Sequence, residues 1–314
     1  MLRPPIGQQN RSAGDRFRAM ASEQMRMMKE LIGTQPVLTG APVEQLRANM
    51  EAMATVVPPP EDVVYEPVDA GGVPAEWVSA PGARTDAAVL YLHGGGYAIG
   101  SIATHRHIAA NISRAAGARL LLIDYRLAPE HPHPAAVDDA TAAYRWLLAQ
   151  GLAPGNIAIS GDSAGGGLTM ATLLALRDAG DPLPACAVPM SPWVDMDQSA
   201  ESYTTRCDLD PMVSAVGLKE MAGWYLAGQD PTTPLASPVH ADLSGLPPLL
   251  VQVGDHEVLL DDSVRLVERA KAAGVDATVE IGEECFHVYQ AFPVPEADEA
   301  IARLGEFVRR HIGS

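Results

Sequence analysis

The chain has 314 residues, of which 47% are hydrophobic and 19% charged. That is enough for one large α/β domain or two modest ones, and it excludes an intrinsically disordered chain. Lys and Arg number 22 against 39 Asp and Glu, and the net charge of −17 argues against nucleic acid or an anionic membrane surface as a partner.

Three cysteines, Cys186, Cys207 and Cys285, are too few and too scattered for a disulfide framework or a zinc motif. The start of the chain has no apolar leader, and no later run reaches membrane-spanning length, so a reducing, cytoplasmic location is the expectation. A small molecule is the expected partner, and the sequence leaves a homodimer open.

From the N-terminus, residues 1–55 are rich in helix formers and methionine and end at the break "VVPPPEDVVYEP". Phe17, Met20, Met25, Met28 and Leu31 recur at helical spacing, with Gly33 placed to stop that helix. Residues 56–314 read instead as alternating strands and helices. "AAVLYLHGG", "ARLLLIDY", "NIAISG", "CAVPMSP", "PLLVQVG" and "ATVEIG" read as six strands, several of them continuous apolar runs. Helical stretches such as "DDATAAYRWLLAQG" and "SVRLVERAKAAG" lie between most of them. This rhythm predicts a mostly parallel central sheet flanked by helices, an α/β fold with right-handed crossovers. Residues 195–240 break it and read as an insertion with a helix of its own around "GLKEMAGWYLAG".

Gly161-Asp162-Ser163-Ala164-Gly165 follows the third run and opens a long helical pattern. In that strand–turn–helix context, G-x-S-x-G marks an exposed nucleophilic serine on a sharp, strained turn. The helix N-terminus beyond it favours developing negative charge. A glycine-rich turn with a capping serine would account for the pentapeptide alone, but not for "LHGGGYAIGS" after the first run. Three glycines after His93 leave backbone N–H groups free of side chains and able to donate to an oxyanion. A phosphate cradle would need G-x-x-x-x-G-K, or G-x-G-x-x-G with a downstream acid, and neither is present. His93 itself reads as a structural hydrogen-bonder beneath the loop.

His93–Gly96, the Gly161–Gly165 elbow and "DYRLAPEHPHPA", in this order, resemble the hormone-sensitive-lipase-like esterases (bacterial family IV) of the α/β-hydrolase fold. The resemblance runs from about residue 60 to the C-terminus. It implies an oxyanion hole from the N–H groups of Gly95, Gly96 and Ala164, and a structural loop from Asp124 through Tyr125 and Arg126 to Pro134. Glu130, His131 and His133 would then have no catalytic part. It also implies a helical cap from residues 1–55 and 195–240. The methionines at 20, 25, 27 and 28 would form an adaptable apolar wall, or simply pack the cap onto the body. No metal and no cofactor are expected: the pairs His105/His107 and His131/His133 lack a third ligand.

A serine nucleophile needs a histidine base, which in this fold comes after the acid. Of His240, His256, His287 and His311, only His287 lies in a loop beyond a late strand and before the last helix. The acid must come from Asp255, Glu257, Asp261 or Asp262. Asp261 and Asp262 sit where acids cap a helix and complement its dipole, which leaves Asp255 and Glu257. The family pattern of acid, Pro, Leu, any residue, Asp and then an acid fits "EVLLDD", with Glu257 at the working position and Asp255 in reserve. Glu for the commoner Asp, and Val258 for Pro, depart from it.

The resemblance implies hydrolysis of short- to medium-chain carboxylic esters through an acyl-serine. A lactone hydrolase, a small-molecule deacetylase, a serine peptidase or a non-catalytic binding protein on the same fold are the alternatives.

Overall fold

The computed structural model describes residues 21–34, 40–55 and 58–313. Their strands are β1 (Val64–Asp69), β2 (Pro74–Ser79), β3 (Arg84–Leu92), β4 (Ala118–Ile123), β5 (Ile157–Asp162), β6 (Cys186–Met190), β7 (Leu249–Gly254) and β8 (Ala277–Gly282). The helices are α1 (Glu23–Gly33), α2 (Val43–Ala54), α3 (Ile102–Ala116), α4 (Ala135–Ala149), α5 (Ala164–Ala179), α6 (Ser202–Thr205), α7 (Ala215–Leu226), α8 (Leu260–Ala272) and α9 (Pro295–His311).

Strand side chains alternate between faces, and here the alternation feeds two cores. Val89, Tyr91, Leu120 and Leu122 pack with Ile108 and Ile112 of α3 and Leu304 and Val308 of α9. Their chain neighbours Leu90, Leu92, Leu121 and Ile123 pack with α4, α5 and α8. A sheet covered on both faces has no polar face to present, so β5, β6 and β7 are buried along their whole length.

All eight strands form one sheet, in the order β1-β2-β4-β3-β5-β6-β7-β8. β1 and β2 are antiparallel to their neighbours, and the rest of the sheet is parallel. The six expected strands are β3 to β8. β1 and β2 carried no apolar run; β1, "VYEPVD", is largely exposed and contains a proline and two acids. The chain winds from β3 outward to β4, then returns to place β5 on the other side of β3. Leu92 pairs with Gly161 there, so the loop leaving β3 and the turn leaving β5 emerge side by side. Crevices at the carboxyl ends of such strands are where α/β sheets bind ligands.

The Ser22 hydroxyl accepts the Met25 N–H and starts α1. Met25 and Ile32 are buried, while Met27 and Leu31 are 62% and 58% exposed. The expected stripe is therefore corrected at its C-terminal end, where the helix turns Ile32 inward in place of Leu31. Phe17 and Met20 lie outside the described residues. Met25 packs on Cys285, Phe286 and Tyr289, beside the C-terminal helix. The expected insertion contains α6 and α7, and α7 covers most of the predicted helix.

Candidate active site

Ser163 closes the turn between β5 and α5 with φ 54° and ψ −120°, a left-handed backbone that a non-glycine residue adopts only under constraint. The constraint is close packing. A Cβ at Gly161 or Gly165 would collide with the Leu92 carbonyl of β3, so only glycine lets strand and helix approach on either side of the serine. The Ser163 N–H donates to Met190 O at 2.9 Å, and its carbonyl accepts from Trp193 N–H at 3.0 Å.

The glycine loop lies against this turn. Gly94 N–H donates to Asp162 Oδ1 at 3.1 Å, and the Tyr91 hydroxyl donates to the same oxygen at 2.7 Å. Gly95 has φ +113°, and a Cβ on it would strike the Ile99 carbonyl. Among the described residues, no backbone acceptor takes the N–H groups of Gly95, Gly96 or Ala164. His93 is buried, stacked on Tyr125 at 4.2 Å between ring centres, with Nδ1 2.8 Å from Gly94 O. Burial and the neighbouring His105 depress its pKa to about 3, so it is neutral. The "DYRLAPEHPHPA" loop is held from several sides: Arg126 pairs with Asp139, Arg47 with Glu130, and His133 Nδ1 lies 3.1 Å from the Tyr225 hydroxyl.

The four carboxylates after β7 go four different ways. Glu257 is fully buried; its Oε2 lies 2.8 Å from His287 Nδ1. Its Oε1 accepts from Gly254 N–H at 2.6 Å and from the Ser191 hydroxyl at 2.8 Å. Asp255 accepts the Glu284 N–H at 2.6 Å instead. Asp261 and Asp262 lie in the first turn of α8 but do not cap it, since the cap residue Leu259 makes no side-chain bond. Asp261 reaches Ser202 N–H, and Asp262 accepts from Val194 N–H, Asp195 N–H and the Tyr203 hydroxyl. The capping role expected for this pair is replaced by long-range anchoring of the insertion. His240 faces Asp195, His256 contacts Lys29, and His311 bonds Phe307 O.

Burial is the largest influence on His287 and lowers its pKa. The hydrogen bond and charge of Glu257, with the charges of Asp210 and Asp162, outweigh it and leave the pKa raised. Burial pushes the Asp210 carboxyl up; its oxygens accept N–H groups of Met212, Val213 and Val258.

Ser163, His287, Gly95 and Gly96 line one cavity of about 290 Å³. Its apolar wall comes from Met50 and Met53 of α2, Met212, Leu218 and Met221 of the insertion, and Phe292.

Residues 89–291 match the family model for the alpha/beta hydrolase fold. The chain is 47% identical to an acetyl-hydrolase of Streptomyces hygroscopicus, covering 94% of this chain and 99% of that one. It is 35% identical to an esterase of Acinetobacter venetianus over 90% of this chain and 93% of that one. A solved esterase from the bacterial hormone-sensitive lipase family superposes with a TM-score of 0.90 at 51% identity, covering 94% of this chain and 100% of that one. This chain is a hormone-sensitive-lipase-like esterase of the α/β-hydrolase fold. EstE5, solved after a soak in p-nitrophenyl butyrate, superposes with a TM-score of 0.91 at 49% identity, covering 94% of this chain and 100% of that one.

Three features of the esterase's site had no local signal in its sequence. Ser191 follows the run "CAVPM" with nothing to mark it. Asp210 sits inside the insertion, before a proline. The methionines on the cavity are Met50, Met53, Met212 and Met221. Of those expected to form a wall, Met25 is buried against Phe286 and Met27 faces outward. Helical spacing told which face of α1 is apolar, not which helix overhangs the serine.

Proposed function

We propose that this carboxylic ester hydrolase cleaves short- to medium-chain esters through an acyl-enzyme at Ser163. His287 takes the serine proton, Glu257 holds the imidazole in the required tautomer and stabilises the imidazolium, and Gly95, Gly96 and Ala164 supply the oxyanion donors. The observation that carries the reading is the buried 2.8 Å contact of His287 Nδ1 with Glu257, beside a strained Ser163 on the same cavity. His287 then returns its proton to the leaving alcohol, water enters, and the same base activates it for deacylation. Residues 1–55 and 195–240 act as the cap in this reading. The support is the presence of Met50 and Met53 from one segment and Met221 from the other on the cavity wall.

The test is a series of p-nitrophenyl esters of increasing acyl length, run with the wild type and Ser163→Ala. Turnover that peaks at short acyl chains, is lost in the variant and is accompanied by a sulfonyl fluoride adduct on Ser163 is the expected result. An adduct on another serine, or activity surviving in Ser163→Ala, ends the proposal. The name of the Streptomyces hygroscopicus relative favours a second reading, removal of acetyl from a small molecule by the same residues. Acetylated alcohols and lactones beside the aryl esters separate the two.

Among the described residues no helix is long and apolar enough to cross a membrane. The cytoplasmic location remains part of the proposal, supported by three cysteines outside any disulfide, and cell fractionation tests it.

A further inference from the structure

The segment leaving β6, residues 190–193, is hydrogen-bonded to the carriers of all three proposed catalytic residues. Met190 O and Trp193 N–H hold the Ser163 backbone on its two sides. Ser191 N–H donates to Gln252 O of β7, the strand that leads to Glu257, at 2.7 Å. The Ser191 hydroxyl lies 2.8 Å from Glu257 Oε1 and accepts the Val288 N–H, next after His287, at 3.1 Å. Ser191 is wholly buried with φ 44°, and Val288 has φ 49°. Two non-glycine residues, one of them β-branched, are thus held in left-handed backbone, and one hydroxyl joins them to the acid.

We propose that Ser191 is a positioning residue that fixes the Glu257 carboxylate and the His287 loop relative to each other for proton transfer from Ser163. The proposal rests on the triad reading above. Donor accounting gives its direction. Val288 N–H can only donate, so it occupies a lone pair of the serine oxygen, and the single Ser191 proton is left for the carboxylate. With Gly254 N–H on the same oxygen, Oε1 is fully engaged and Oε2 remains for His287. Removing the hydroxyl strands the Val288 N–H in the interior and concentrates charge on Oε2, which strengthens its hold on imidazolium. Asp210 from the insertion and Asp162 from the end of β5 face His287 as well, and Cys285 and Tyr289 flank Glu257. None of these groups is altered by a change at Ser191, so a shift in the titration of His287 reports on the hydroxyl.

The experiment follows kcat and KM against pH with p-nitrophenyl acetate for wild type, Ser191→Ala, Ser191→Gly and Ser191→Cys. Tm and the rate of sulfonyl fluoride labelling at Ser163 are measured alongside. Ala and Gly should each lower kcat by about 10- to 100-fold, the loss expected for one hydrogen bond to a charged group, with KM little changed. Both should also move the acid limb up by roughly half a pH unit. Gly should recover Tm, because it adopts the left-handed backbone freely, but not kcat; Cys, a weak donor, should regain part of kcat. Should Ala fold poorly, the Gly and Cys variants carry the same comparison. Wild-type kcat with an unmoved acid limb in any folded variant lacking the hydroxyl overturns the proposal, as does full recovery by Gly. If Ser163 of the wild type takes no label, the triad reading itself fails; labelling with an unmoved limb in the variants removes only the role of Ser191.

Discussion

His287 couples activity and stability to pH in opposite directions. Its pKa is raised from 6.5 by Glu257, Asp210 and Asp162 against the opposing pull of burial. Only neutral imidazole accepts the serine proton, so the acid limb of kcat/KM should have its midpoint above pH 6.5; a midpoint well below it would exclude His287 as the base. The stability contributed by the pair has the reverse sign. A group whose folded pKa is raised contributes fully below its unfolded pKa and loses that contribution as pH rises through the folded value. Glu257→Gln keeps the shape but offers the wrong tautomer, and the corresponding change in a serine protease costs about 10⁴ in turnover. Asp255→Asn should leave turnover near wild type, because Asp255 is engaged with the Glu284 N–H. Turnover of one acetate ester by both purified variants checks the pair, and a dead Asp255→Asn beside an active Glu257→Gln would reverse the assignment. Asp262 belongs with these residues by position, and burial, with the charge of Asp195, pushes its carboxyl well above its ordinary value. Its raised pKa makes the wild type lose stability as pH rises above the unfolded value, which an asparagine does not. Asp262→Asn should therefore gain in stability relative to the wild type as pH rises. Asp262→Ala, which strands three donors, should cost about 1–3 kcal/mol or more in urea unfolding.

The two N-terminal helices engage different parts of the site. Through Arg26–Glu284 at 3.3 Å, the Lys29–His256 contact and Met25 against Phe286, α1 braces the loops that carry Glu257 and His287. α2 sits on the other side. Val43 and Leu46 pack on Ala98 and Ile99, and Arg47 donates to Ala98 O, Ala128 O and Glu130, so the helix is fixed to the glycine loop. Removing residues through 34 should accordingly lower kcat and Tm while leaving acyl-chain preference unchanged. Preference should instead follow the cavity wall. Met221 of α7 occupies the space that a Cβ on Gly96 would take. Met221→Ala should raise the hexanoate-to-acetate ratio of kcat/KM by about tenfold or more, the scale of a methylene or two in an apolar pocket. A ratio that shifts in the α1 truncate but not in Met221→Ala would interchange these roles.

At the scale of the whole molecule, the net charge of −17 sets up a field that disfavours anionic substrates at low salt. Screening shortens that field to about 10 Å at 0.1 M ionic strength. Added salt should therefore raise kcat/KM for a carboxylate-bearing ester and leave neutral p-nitrophenyl acetate unchanged. Equal responses of the two esters would remove the steering argument. The same acidity is spread over a fold whose catalytic edge is a line of strand ends, so every proposed catalytic group is delivered by a loop that starts at the carboxyl end of a parallel strand.

The sequence by itself determined what depends on local periodicity and close packing. Apolar runs marked β3 to β7, because a strand covered on both faces has no polar face to alternate with, whereas the half-exposed edge strand β8 alternates in "ATVEIG". Ser163 was legible because the backbone of Leu92 leaves no room for a side chain at Gly161 or Gly165, so the glycines must flank the serine in sequence. The exposed β1 was not legible, nor was the placing of α2 on the cavity wall, since neither segment carries a pattern that distinguishes it from a surface segment. Of the four carboxylates between Asp255 and Asp262, position before the helix set Asp261 and Asp262 apart and a resemblance ranked Glu257 over Asp255, but only the tertiary structure gave each its direction. Glu257 meets His287 thirty residues on, Asp262 pins Val194, and Ser191 reaches Val288 across the sheet edge. An irregular loop has no period to aim its side chains. A contact between residues distant along the chain leaves no trace in the residues beside either partner, so these pairings exist only once the strands have set the loops side by side.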